Sequence, residues 1–157
     1  MTYEIKTVNP EYIVTAYGVT LGDFNDWEGN NKKIAALKAE IEDNGSLEKL
    51  LSLADGKLLQ LNSAATNGGP WRGFGVKGDF DIAGTEKITI LAKDHAVFSA
   101  TVSSKETGAD ELTGKVFGGM IGELTGYKYV GPYNLTTVTE QADGTFLAEM
   151  WLPVEKA

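Results

Sequence analysis

The stretch that most constrains the fold is the last apolar segment, "TFLAEMWLPV" at 145–154. Side chains alternate across a β-strand, so Phe146, Ala148, Met150 and Leu152 share one face. Leu147, Glu149 and Trp151 take the other. The first face is wholly apolar and needs a cover. The second carries an acid two residues from an indole, which a buried face does not tolerate without a partner. That face is expected to pack against helices, and strands joined by short turns make the sheet mostly antiparallel, which together give an α+β arrangement.

The rest of the chain supplies those helices. "YEIKTV" (3–8) and "YIVTAYGVTL" (12–21) read as strands divided by Asn9-Pro10. A helix follows, with Trp27, Ile34, Leu37 and Ile41 along one face and Asn44-Gly45 as its stop. Ser46 can cap a second short helix, and "KLLQLNS" (57–63) reads as a strand. Beyond a glycine-rich loop (64–78) that holds Trp71, "DFDIAG" (79–84), "KITILAK" (87–93) and "AVFSATVSS" (96–104) read as antiparallel strands. A helix over 109–124 places Leu112, Val116, Met120 and Leu124 at four-residue spacing. Gly118, Gly119 and Gly122 weaken it by about 1 kcal/mol each, which suggests a close neighbour against that backbone. "LTTVTEQ" (135–141), a turn at Asp143-Gly144 and the final strand complete the chain. Strands, a helix and a returning strand thus occur twice, in halves of about 1–78 and 79–157 within one domain, 1–157.

Composition excludes several kinds of chemistry. The absence of cysteine removes disulfides and thiolate sites, and one histidine, His95, leaves little for a metal cluster or a serine–histidine relay. His95, beside Asp94 at a strand start, reads as a turn residue. No cofactor is expected. The net charge of −8 disfavours nucleic acid and anionic membranes and favours cations, although it also simply keeps a small protein soluble. No apolar run has membrane-spanning length and the N-terminus has no export pattern, so a cytoplasmic location is expected.

"GFGVKGDF" (73–80) has the G-x-G-x-x-G spacing of a dinucleotide loop. That loop works only between a strand and a helix whose N-terminus holds the pyrophosphate. Here β character follows, so the spacing is coincidental and a hairpin or ligand-rim loop is expected instead. The candidate chemistry lies with Glu149 and Trp151, since an indole face attracts an organic cation and a carboxylate neutralises it. A solvated glutamate beside a partly exposed tryptophan is the plainer alternative. Tyr17, Trp71, Phe98 and Tyr133 are aromatics that could join that face.

The segments "GTEKITILAKDHAVFSATV" (84–102), "GYKYVGPYNLTTV" (126–138) and "AEMWLPVEK" (148–156) resemble the GyrI-like small-molecule-binding family. That family includes effector-binding domains of AraC-type and multidrug-responsive regulators. The resemblance implies a pseudo-twofold pair of β-α-β-β units sharing a curved, mostly antiparallel sheet, with helices behind and a ligand groove in front. It implies a hydrophobic, often cationic, ligand. Family members often carry a glutamate in the penultimate strand; "YNLTTV" aligns Leu135 with the preceding aromatic and Thr136 with that acid. Either Glu149 substitutes for it or the ligand is neutral. With no spare length for a helix-turn-helix, the chain is expected to be the stand-alone form, a sensor or sequestering protein, monomeric or dimeric, without direct nucleic-acid binding. Two alternatives stay open: a hydrolase of reactive electrophiles in which Glu149 serves as acid–base, and an acidic module of gyrase-inhibitor type that docks on a protein partner.

Overall fold

A computed structural model describes residues 3–23, 25–64 and 70–157. In chain order these form β1 (Tyr3–Thr7), β2 (Tyr12–Thr20), α1 (Trp27–Asp43), α2 (Ser46–Ser52), β3 (Leu59–Ala64) and β4 (Pro70–Lys77). Then come β5 (Glu86–Ile90), β6 (Asp94–Val102), α3 (Gly108–Gly118), a 3-10 turn (Met120–Glu123), β7 (Tyr127–Tyr129), β8 (Tyr133–Glu140) and β9 (Phe146–Lys156). The class is α+β, mostly sheet, as expected. No helix among the described residues is long and apolar enough to cross a membrane.

One compact unit joins the chain up to Pro10 with Leu91–Ala157. Its strands run β1-β6-β9-β8, all antiparallel, with β7 on the end of β9. Met150, Leu152 and Ala148 of β9 lie with Ala96, Phe98 and Val102 of β6 beneath Leu112 and Val116 of α3. Full burial of a side chain such as Leu112 contributes about 1.5–3 kcal/mol, so this layer anchors the unit. Gly108 lets the start of α3 approach the sheet: a Cβ there would come within 2.6 Å of Val102 Cγ2. Glu111 ties down the same helix start, accepting from the Ser103 hydroxyl at 2.6 Å and the Thr107 hydroxyl at 2.9 Å. Those bonds hold its pKa below the usual glutamate value.

The helix expected over 109–124 is shorter, because Gly119 takes an extended backbone (φ 179) and a 3-10 turn follows. Among the described residues, and apart from the adjoining chain itself, no atom lies within 4 Å of a Cβ built at Gly118, Gly119 or Gly122. These glycines end the helix and do not seat a partner.

The other unit spans Glu11–Ile90. Its strands run β3-β4-β2-β5, again antiparallel. Ile41 of α1, Leu47 of α2 and Phe74 of β4 form a cluster, with Ile34, Leu37 and Tyr17 packed against it. Trp27 departs from the expected helix face and is 75% exposed. It is the first residue of α1, and Cα–Cβ bonds tilt toward the helix N-terminus, so its ring extends beyond the stripe. The glycine-rich segment is no loop at 73–77, where β4 runs through it. The expected strand over 79–84 does not form. Instead the Thr15 hydroxyl donates to the Gly78 carbonyl at 2.7 Å and accepts the Phe80 N–H at 3.1 Å, turning the chain away.

Candidate functional site

Pairing registers in the first unit fix which side chains share the face turned away from α3. Trp151 lies between Val97 and Leu135, and Glu149 between Ser99 and Thr137. Leu147 lies between Thr101 and Thr139, and Pro153 is beside His95. On the outer strand β1, Lys6 pairs with His95 and Glu4 with Val97. The face is therefore an apolar band (Val97, Trp151, Leu135) next to a polar one (Ser99, Glu149, Thr137). Val97 and Leu135 are buried, whereas Trp151 and Glu149 are half-buried.

Glu149 makes no hydrogen bond or ion pair among the described residues. A half-buried carboxylate with hydroxyl-bearing neighbours and no counter-charge can accept a cation at little further desolvation cost. Among the described residues, the Trp151 ring makes one aromatic and one cation–π contact. The His95 ring meets it edge-on at 6.1 Å between centroids, and Lys6 Nζ lies 5.5 Å from its centroid. His95 is fully buried within β6, so it is not the turn residue its neighbour Asp94 suggested. Its Nε2 is 2.7 Å from the hydroxyl of Tyr133, which belongs to the same side of the sheet.

Of the expected site residues, Glu149, Trp151 and Tyr133 are thus brought to one face. Phe98 and Thr136 are not: both pair with Met150, and Phe98 is fully buried in the core against Tyr3, with ring centroids 5.4 Å apart. Strand parity separates them from Glu149. The residues of β8 beside the acid and the indole are instead Thr137 and Leu135. Tyr17 and Trp71 belong to the other unit and occupy opposite faces of it. Tyr17 pairs with Phe74 in the cluster under the helices. Trp71, expected in a loop, lies in β4 with its ring over Gly18 and Gly73, donating its indole N–H to Glu86 at 2.7 Å.

Sequence reasoning missed Lys6, Ser99 and Thr137. Each is ordinary in isolation, and only the cross-strand register places it beside the acid or the indole. Among the described residues no cluster of His, Asp or Glu has the makings of a metal site.

No protein-family model and no curated protein sequence matches the chain. Solved structures do. SAV2435, in a structure bound to tetraphenylphosphonium, matches with TM-score 0.76 at 17% identity, over 99% of this chain and 94% of that one. An integron cassette protein from the mobile metagenome of Vibrio cholerae matches with TM-score 0.67 at 15% identity, over 99% and 97%. The C-terminal domain of EcmrR matches with TM-score 0.52 at 14% identity, over 99% and 98%. At such identities the likeness establishes a shared fold.

Proposed function

We propose that the protein binds a small hydrophobic cation on the face of β9 that carries Glu149 and Trp151, as a GyrI-like effector-binding domain does. One observation carries the reading: Glu149 is half-buried and without a partner among the described residues, in register with two hydroxyl side chains and two residues from an indole. Leaving a carboxylate unpaired there opposes folding, and an incoming cation offsets that cost. Trp151, Val97 and Leu135 supply the apolar surface that a lipophilic ligand needs, and Glu149 sets its charge and orientation. Support also comes from the fold shared with SAV2435, whose bound tetraphenylphosphonium is a lipophilic cation, and with the EcmrR C-terminal domain. The role that fits is sensing or sequestering such molecules.

The test is calorimetric titration of the protein with tetraphenylphosphonium and with neutral triphenylphosphine oxide. The wild type should prefer the cation, and Glu149→Gln should lose that preference, weakening the cation about tenfold or more while leaving the neutral ligand unchanged. Equal cation affinity in wild type and Glu149→Gln would remove Glu149 from the site.

A further inference from the structure

The indole assigned to the ligand already holds a cation of the protein's own. Lys6 Nζ lies 5.5 Å from the Trp151 ring centroid, within cation–π range. The contact is a product of sheet register. Lys6 pairs with His95, Glu4 with Val97, and Val97 with Trp151, so the lysine stem crosses the sheet diagonally to reach the ring. Lys6 remains 43% exposed, and its only other charged contact among the described residues is Glu4, at 3.7 Å. Glu149, two residues from Trp151, is not its partner.

We infer that Lys6 is a tethered competitor for the Trp151 face, a specificity-determining residue that lowers the affinity for cationic ligands. This rests on the reading of Glu149 and Trp151 as a ligand site. An ammonium and a ligand cation cannot share one ring face without like-charge repulsion, so an incoming cation must send Lys6 back into solvent. The exchange is easy, because the side chain is already partly hydrated and Glu4 remains close enough to accompany the displaced charge. Lys6 therefore tunes binding and does not block it. A neutral aromatic ligand meets no such repulsion, so the competition discriminates between ligands by charge.

Lys6→Met keeps the bulk of the stem and removes the charge; Lys6→Arg keeps the charge. Each full-length variant is titrated with tetraphenylphosphonium and with triphenylphosphine oxide. Lys6→Met is expected to bind the cation about two- to fivefold more tightly than wild type, the worth of an exposed cation–π contact, with the neutral ligand unchanged and Lys6→Arg close to wild type. Cation binding that is equal in Lys6→Met and wild type would overturn the competition and leave the ligand site standing. A gain shared by the neutral ligand would also overturn it, since that marks a steric effect. Failure of both ligands to bind any of the proteins would overturn the site itself and the inference with it.

Discussion

His95 Nε2 lies 2.7 Å from the Tyr133 hydroxyl, with both side chains buried. The other ring nitrogen, Nδ1, is 2.9 Å from the Lys93 carbonyl, an oxygen that can only accept. Nδ1 therefore carries a proton, and in the neutral ring Nε2 accepts from the Tyr133 hydroxyl. The chain of bonds continues outward, because the Leu91 N–H donates to the same hydroxyl at 2.9 Å. This relay braces the ring that meets Trp151 edge-on, so it positions the indole from the side.

The relay makes stability depend on pH. Burial holds the His95 pKa below the ordinary histidine value; the Lys93 carbonyl opposes this, the Lys93 charge adds to it and the Asp94 charge opposes it. The unfolded chain then takes up this proton at a higher pH than the native one, near about 6.5. Stability from this group is complete above that value and declines as the pH falls below it. Urea midpoints should drop between about pH 7.5 and about pH 5.5, and His95→Gln should flatten that part of the profile. An unchanged pH slope in His95→Gln would show that other groups set it.

Tyr133→Phe removes the donor to His95 and the acceptor for the Leu91 N–H together. One buried and one half-buried polar group lose a partner while the ring volume is kept, so a loss of about 1–3 kcal/mol is expected in chemical denaturation. The same variant should alter Trp151 fluorescence, because the imidazole beside it is no longer held. A stable variant with an unchanged emission spectrum would contradict the bracing role.

The two faces of β9 were legible in the sequence because one reads wholly apolar and the other does not. The same rule gave no answer for "AVFSATV", where Ala96, Val97 and Phe98 are all buried, so alternation cannot tell Phe98's side from Val97's. Thr136 and Thr137 are both buried for the same reason, and only their pairing with Met150 and Glu149 separates them. Glycine is a poor strand former, so the segment around Trp71 reads as a loop, yet Gly73 is registered opposite Gly18 and clears a place for the ring. His95 looked like a turn residue beside Asp94, and its burial depends on a hydroxyl 38 residues away. What periodicity cannot supply, in each case, is which strand lies alongside.

A half-buried carboxylate kept for a ligand should oppose folding while the ligand is absent. Glu149→Gln removes the charge and keeps the shape, beside Ser99 and Thr137 that can bond an amide equally well. The ligand-free variant should match the wild type in stability or exceed it by up to about 1 kcal/mol. A marked loss of stability would mean that the carboxylate serves the fold.

The ring of Trp71 lies flat across Gly18 and Gly73, a directly paired couple on adjacent strands, where a Cβ at either position would enter the space of the ring. Trp71 itself is buried at 3% exposure, so moving the ring would disturb its packed surroundings. Gly18→Ala should therefore displace the indole, break its bond to Glu86 and cost about 1–3 kcal/mol, the usual penalty of overpacking. Trp71→Leu alone should also destabilise, through lost burial and the lost hydrogen bond. The decisive measurement is the double variant. If the glycine is there for the ring, adding Gly18→Ala to Trp71→Leu should cost far less than adding it to wild type, giving a favourable coupling of about 0.5 kcal/mol or more in a double-mutant cycle. Additive losses would mean that Gly18 answers to the backbone and not to Trp71, and the strand character of the glycine-rich segment would then need a different cause.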